Sequence, residues 1–188
     1  NIAKTGWMTR RAIICGILII MPDWQAEAII LSVRPHGEGS AVISVLTADH
    51  GRHAGLVRGG ASSKMRGIMQ PGNRVRVSWR ARLSEQLGQM QIELVQSVPA
   101  LLLDSPLRLS GVASMCALLD GVLPEREAQL GLFEGSVALL DVIVLDDDNA
   151  GWVEGYVRWE LGLLAAVGYR LDLARCVASG QTSDLAFV

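Results

Sequence analysis

The chain has 188 residues, of which 50% are hydrophobic and 19% charged, with a mean hydropathy of +0.32. This composition excludes a disordered tail or linker, and it allows one or two domains with a real core. The net charge of −2 hides a polarity, because residues 1–20 and 21–99 each carry +3 whereas residues 100–188 carry −8. A basic half joined to an acidic half is a first indication of nucleic-acid binding, since basic surfaces attract polyanions.

The first twenty residues contain Arg10-Arg11 followed by an apolar run, a pattern that resembles a signal peptide. The run leads straight into Met21-Pro22 without a small-x-small cleavage site. We therefore expect residues 1–20 to be an upstream or mis-started extension that has no part in the fold, with Met21 as the biological start. No run reaches the roughly 18 apolar residues of a membrane span, so no membrane partner is expected.

Residues 21–99 carry the pattern of a small all-β domain. Five runs of alternating or β-rich residues cover 28–33, 41–47, 54–58, 74–82 and 89–94, with turn residues every 8–15 positions. This spacing predicts a five-stranded barrel of OB-fold size. The long connection over residues 60–70 favours a short helix or a mobile loop.

After Pro99 the apolar period changes from two to that of a helix. Ser105-Pro106 is a helix start signal, and three helices are predicted over about 106–122, 127–145 and 152–167. Their apolar residues, Leu107, Leu130 and Val157 included, are candidates for the core. The predicted fold class is α+β, an N-terminal five-stranded OB-fold barrel (21–99) followed by an all-α helical domain (100–188) packed against it.

Catalytic or metal-binding constellations are weak. His50 and His53 could share a metal, but no ligand set follows at matching spacing. Cys116 falls on an apolar helix face, where a buried inert thiol is expected, and the carboxylates of residues 146–148 fit a solvated loop. The three cysteines are widely spaced and odd in number, which favours reduced thiols and a cytoplasmic protein. The sequence therefore predicts neither a catalytic residue nor a metal site.

The basic residues concentrate in one window. Between Ala48 and Arg82 eight basic residues face one acid, a local charge of +7. The arginines of residues 74–82 all occupy alternate positions, so on a strand they share the face opposite to Trp79. We interpret them as a row of guanidinium groups that binds phosphates; the alternative is an ordinary solvated strand face. Because aromatic residues are scarce here, binding should be led by the DNA backbone. The predicted DNA-binding residues are Arg52, Arg58, Lys64, Arg66, Arg74, Arg76, Arg80 and Arg82.

Motifs along the chain resemble the RecO family of bacterial recombination mediators. The amino-terminal half contributes Glu27-Ala28-Ile29-Ile30-Leu31, Gly37-Glu38-Gly39-Ser40, His50-Gly51, Gly59-Gly60-Ala61, Arg66-Gly67 and Gln70-Pro71-Gly72. The carboxyl-terminal half contributes Arg158-Trp159-Glu160-Leu161, Leu164, and Gly168-Tyr169-x-Leu171-Asp172-Leu173 before Cys176. The resemblance spans about Met21 to Val188.

The resemblance implies a non-catalytic protein of recombinational DNA repair in the cytoplasm, associated with the nucleoid. Such proteins bind single- and double-stranded DNA, anneal strands, and act with RecR to load recombinase onto DNA coated by single-strand DNA-binding protein (SSB). The helical domain would accept the acidic, apolar tail of SSB. We expect Arg108 or Arg158 to supply the cation for that tail, unless local acids such as Glu154 or Glu160 already pair with them.

Two departures from the family pattern stand out. Many relatives carry a four-cysteine zinc module, whereas only Cys176 is present here, so the module is degenerate and no cofactor is expected. The chain also stops at Val188 where the family continues, which we interpret as a carboxyl-terminal truncation. Two alternatives are an OB-fold adaptor for proteins that does not bind DNA, and a metal-dependent hydrolase using His50 and His53.

Overall fold

The computed structural model describes residues 11–14, 17–20, 22–60, 62–146, 151–176 and 180–182, with side chains from residue 22 onward. Two short strands, β1 (Arg11–Ile14) and β2 (Ile17–Ile20), pair with each other in a separate two-stranded sheet. Parts of the predicted extension (1–10 and 15–16), the predicted start Met21, the carboxylates 147 and 148, and residues 177–179 after Cys176 lie outside the described residues.

The amino-terminal half is a closed barrel of five strands. The strands are β3 (Asp23–His36), β4 (Ser40–Thr47), β5 (Gly51–Arg58), β6 (Arg74–Arg80) and β7 (Gln89–Gln96). Their order around the barrel is β3-β4-β5-β7-β6, and β6 closes the ring by pairing with β3. All pairs are antiparallel except β5–β7. The predicted five-stranded OB-fold barrel is confirmed.

The long connection, for which the sequence left a short helix or a mobile loop open, contains the helix α1 (Ser63–Ile68). Ser62 caps its first turn, and the Asn73 side-chain amide donates hydrogen bonds to the carbonyls of Gly67 and Ile68 at its end. Met65, Ile68 and Met69 pack against the barrel core. Both ends of this short helix are therefore held, and its polar side chains face outward.

The carboxyl-terminal half is helical. It contains α2 (Val98–Leu101), α3 (Pro106–Val122), α4 (Leu130–Leu145) and α5 (Gly151–Ala166). The three long helices agree with the prediction, whereas the four-residue α2 was not predicted, because one turn is too short to show a helical period. Among the described residues, no helix is long and apolar enough to cross a membrane.

The chain has two apolar cores, one inside the barrel and one between the barrel wall and the helices. Inward side chains of the barrel, such as Ala28 and Ile30, form the barrel's own core. Their outward neighbours Ile29, Leu31 and Leu46 are buried among residues of α3, α4 and α5 instead. This explains why the 28–31 run is continuously apolar, since both faces of the strand are covered. The helical half therefore packs directly on the barrel wall, as predicted.

Part of the predicted helical core is wrong. Leu107 is 67% exposed, and Leu130 and Val157 are also exposed. The periodicity of the sequence defines an apolar face on each helix. The neighbouring helices and the barrel wall cover only part of each of these faces. An apolar surface therefore remains open on the helical half.

Candidate nucleic-acid interface

The predicted arginine row on β6 is only partly formed. Arg74, Arg76 and Arg80 lie on the outer face of β6, opposite to the buried Trp79, as the strand parity predicts. The prediction that Arg82 shares this face is wrong, because β6 ends at Arg80 and Arg82 lies in the connection to β7.

Acidic residues stand beside the arginines of this row. Arg76 lies in register between Glu27 of β3 and Glu93 of β7, with guanidinium-to-carboxylate distances of 4.0 and 3.8 Å. Arg80 is the register partner of Asp23. These acids lie on other strands or at another strand's start, and only the strand pairing brings them next to the arginines. The β6 face therefore carries little net positive charge.

Two of the predicted DNA-binding arginines hold the halves of the chain together. Arg52 donates a hydrogen bond from Nε to the Leu123 carbonyl at 2.7 Å, and its Nη1 lies 3.5 Å from both Asp120 and Glu125. Arg74 donates to the Asp141 carboxylate of α4 at 3.1 Å. These guanidinium groups are mostly buried and engaged, so they are poor candidates for phosphate contacts.

An open surface exists instead on the outer face of β3, β4 and β5. Three rows of register partners lie side by side there, Ser32–Ser44–Ala54, Arg34–Val42–Leu56 and His36–Ser40–Arg58. The next row, Leu46–Arg52, is covered by the helical half. The rows become more exposed and more basic toward the end of the barrel that bears Arg34, His36 and Arg58.

The helix α1 extends this surface. It follows Arg58 after the Gly59–Gly60 turn, and both Lys64 and Arg66 are exposed on it. No described acidic residue forms an ion pair with Arg58, Lys64 or Arg66. We call the outer β3–β5 surface together with Arg34, Arg58, Lys64 and Arg66 the cationic face. Arg34 is not among the residues predicted from the sequence. The strand register places it on this face, because Arg34 pairs with Val42 and Val42 pairs with Leu56.

Aromatic rings cluster at the opposite end of the barrel. His50 stacks on Trp24 with ring centroids 4.1 Å apart, and His53 meets Trp24 and Trp79 edge to face at 5.0 and 4.7 Å. His53 is 4% exposed, and neither of its nitrogens has a hydrogen-bond partner. Burial, with smaller contributions from Arg126 and His50, lowers the His53 pKa to about 4. Burial also lowers the His50 pKa, against a smaller opposing effect of Asp49.

A groove lies between α4 and α5 on the helical half. This groove has a volume of about 740 Å³, and small residues line it, among them Gly135, Ala138 and Gly162. Trp159 forms part of its wall, and Arg158 and Arg170 also line it. Arg158 pairs with Glu154 at 2.6 Å, as the sequence alternative foresaw. No described acid forms an ion pair with Arg170.

Arg108, the other predicted tail-binding residue, is placed differently. Its Nη1 donates to the backbone carbonyls of Ile143 and Asp146 at 3.3 and 2.7 Å. It therefore closes the end of α4 against α3, does not line the α4–α5 groove, and pairs with neither Glu154 nor Glu160.

The described cysteines are dispersed. Cys116 is buried on α3, and its Sγ lies 3.5 Å from the Ile30 carbonyl. Burial raises the pKa of this thiol to about 12, so it stays protonated. Cys176 is half-buried in the segment after α5. Within the described part of the chain, no three potential metal ligands come together.

The sequence matches two family models, one over the barrel and one over the helical half. Residues 21–98 match "Recombination protein O N terminal", and residues 103–188 match "Recombination protein O C terminal". The chain belongs to the RecO family. The first match covers the barrel strands and the second covers α3, α4 and α5.

Curated RecO relatives agree over most of the chain. It is 49% identical over 168 residues to the DNA repair protein RecO of Rhodospirillum centenum, covering 88% of this chain and 66% of the relative. The RecO proteins of Rhodospirillum rubrum and Cereibacter sphaeroides are 44% and 49% identical, each covering 89% of this chain and 68% of the relative. The chain thus spans about two thirds of the length of these DNA repair proteins.

Proposed function

We propose that this RecO-family chain is a non-catalytic DNA-binding protein of recombinational repair, and that it holds DNA on the cationic face. The observation that carries this proposal is that Arg34 and Arg58 lie on adjacent register rows of the open β3–β5 surface, and that Lys64 and Arg66 are exposed on the helix that follows Arg58. Exposed guanidinium and ammonium groups bind phosphates and release counterions, which gives affinity without sequence preference.

The surroundings of this face support contacts to the DNA backbone. Its rows contain no tryptophan, tyrosine or phenylalanine, His36 carries the one ring among them, and the barrel's tryptophans cluster at the other end. Bases held only by their phosphates stay free to pair, whereas stacking platforms engage the base faces. This arrangement suits a protein that binds both single and double strands and promotes annealing, as the family resemblance implies.

The α4–α5 groove supports the second part of the proposed role. An acidic peptide with an apolar end needs a cation beside an apolar groove, and Arg170 and Arg158 stand beside Trp159 in this one. We propose that the SSB tail binds here, which would bring the protein to SSB-coated DNA for recombinase loading with RecR. Arg170 is the stronger anchor, because Arg158 is already paired with Glu154.

The DNA proposal is tested by fluorescence anisotropy with labelled single- and double-stranded oligonucleotides across a salt series. Arg58→Ala and Lys64→Ala should each weaken binding to every sequence about equally and reduce the salt slope by about 0.7–0.9. Arg76→Ala is the matched control, because Glu27 and Glu93 already flank that strand arginine. It should change affinity little.

Two results would contradict the proposal. If Arg76→Ala lowers the slope while Arg58→Ala and Lys64→Ala do not, DNA lies along β6, as the sequence alone suggested. If the native chain binds no DNA even at low salt, the OB-fold adaptor is the better reading. The hydrolase alternative lacks support from geometry, since the His50 and His53 rings are packed against tryptophans.

A further inference from the structure

One carboxylate of the helical half reaches the cationic face. Asp120 of α3 places Oδ2 3.5 Å from Nη2 of Arg34, and its Oδ1 lies 3.5 Å from Nη1 of Arg52. The Asp120 side chain is only 13% exposed, whereas the Arg34 side chain is 77% exposed. A largely buried acid therefore holds an arginine that is otherwise free to enter solvent.

The position of Asp120 in its helix explains why it needs cations. Asp120 lies in the last turn of α3, which ends at Val122. The carboxyl-terminal end of a helix carries a partial negative charge, so an acid there is disfavoured unless positive groups face it. Two arginines of the barrel wall supply that compensation.

The two arginines differ in what else holds them. Arg52 also donates to the Leu123 carbonyl and lies near Glu125, so it remains in place when Arg34 leaves. Arg34 has no other described ion-pair partner. Release of Arg34 therefore leaves Asp120 paired with Arg52, and it exposes no unpartnered charge.

We propose that Asp120 competes with DNA phosphate for Arg34 and thereby sets the affinity of the cationic face. In the unbound protein Asp120 holds Arg34 against the helical half, and a bound phosphate takes the guanidinium over. Asp120 is then a positioning residue that limits DNA affinity through Arg34. This inference rests on the proposed DNA-binding function.

The test is a double-mutant cycle on DNA binding in the full chain, measured by anisotropy with a labelled double-stranded oligonucleotide. Asp120→Asn keeps the shape of the side chain and removes its charge. It should tighten binding about two- to fivefold at low salt, the range of an exposed ion pair, and steepen the salt slope by up to about 0.9. In an Arg34→Gln background the same substitution should bring no gain.

Glu125→Gln is the matched control. Glu125 also lies 3.5 Å from Arg52 but forms no described contact with Arg34, so its substitution removes an equal charge from the same junction. It should leave DNA affinity nearly unchanged. Equal gains from Asp120→Asn and Glu125→Gln, or a gain that persists with Arg34→Gln, would overturn the proposal in favour of general repulsion.

A measurement on the native chain tests the proposal even if the Asp120→Asn variant does not fold. The Nε signal of Arg34, assigned in NMR spectra by its loss in Arg34→Gln, should shift when DNA is added, while the Arg52 signal stays. An Arg34 signal that is unmoved at saturating DNA would refute the inference. If Arg58→Ala and Lys64→Ala weaken binding but the cycle shows no coupling, only this inference fails; if neither weakens it, the proposed DNA site fails.

Discussion

At the scale of single residues, the partner across the sheet decides what a charged side chain can do. Arg76 and Arg58 are both exposed strand arginines, yet Arg76 lies between two glutamates while Arg58 neighbours Ser40. The first is neutralised locally and the second is open to an anion. A count of arginines along the strand does not separate these cases.

The buried His53 gives a prediction about pH. Its folded pKa of about 4 lies below the usual 6.5, so between these values the unfolded chain binds the proton and the folded chain does not. The stability that the neutral, buried His53 contributes is therefore fully present above about pH 6.5 and is lost as the pH falls toward 4. The free energy of unfolding, measured with urea, should fall by about 2 kcal/mol when the pH is lowered from 7.5 to 5. The lowered pKa of His50 acts in the same direction.

His53→Phe tests the origin of this loss, because phenylalanine retains the ring contacts with Trp24 and Trp79 but binds no proton. The variant should lose clearly less stability on acidification than the native chain. Met90→Leu, another change in the barrel core, should shift stability equally at both pH values. An undiminished loss in His53→Phe would assign the pH dependence to other groups.

At the scale of elements, the connection between α3 and α4 crosses the barrel wall at β5. The amide of Arg126 donates to the Arg52 carbonyl, and the Arg126 side chain donates to the carbonyls of Ser84 and Gln86 in the β6–β7 connection. Gly51 lies under this crossing with φ +59°, where an added Cβ would stand 1.8 Å from the Glu127 carbonyl oxygen. Only glycine fits both the conformation and the space.

Gly51→Ala should therefore destabilise the protein by strain and by collision. Gly59→Ala is the matched control, because Gly59 has φ +70° but nothing within 4 Å of its added Cβ. We expect the control to cost about 1–2 kcal/mol in chemical unfolding, and Gly51→Ala about 1–3 kcal/mol more. Equal costs would mean that the crossing moves aside easily and does not fix the two halves.

At the scale of the whole molecule, the two proposed binding sites belong to different halves, which are joined by the apolar core between the barrel wall and the helices. The cationic face lies on β3–β5 and α1, and the groove lies between α4 and α5. The −8 charge of residues 100–188 disfavours DNA on the helical half, while the groove arginines provide a local exception for an acidic peptide.

The groove is tested by filling it. Gly162 lines the groove, and an added Cβ meets nothing within 4 Å, so Gly162→Leu should block the space without strain. Fluorescence polarisation would use a peptide of four aspartates followed by apolar residues with a free carboxyl terminus. Gly162→Leu should weaken peptide binding about tenfold or more, because it removes the docking pocket. Arg170→Ala should weaken it about fivefold or more, because it removes a charged contact.

Controls separate this effect from damage to the fold. Gly121→Leu adds the same side chain to an open position on α3 outside the groove, and Arg108→Ala removes an arginine that serves the α3–α4 contact. Neither control should weaken peptide binding, and neither Gly162→Leu nor Arg170→Ala should alter DNA binding. Full peptide affinity in Gly162→Leu would place the tail elsewhere.

The sequence by itself determined the barrel strands, the three long helices, and the inward side of β6. The change of apolar period near Pro99 separated the strands from the helices, and strand parity placed Trp79 inside and Arg76 outside. These properties depend on residues within a few positions of one another, and a local pattern contains them. The short α2 and the exposed apolar sides of the helices were not predicted, because neither produces a local sequence pattern.

The tertiary structure alone decided which arginines are available. Arg52 meets Glu125 across 73 positions of the chain, and Arg74 meets Asp141 across 67. Such pairs arise from strand register and from packing of the helices on the barrel wall, which no local pattern encodes. The same long-range placement brought Asp120 to Arg34 and set Arg170 beside Trp159 in the groove. Charge is a property of the sequence, but its availability to a ligand depends on which opposite charges folding places beside it.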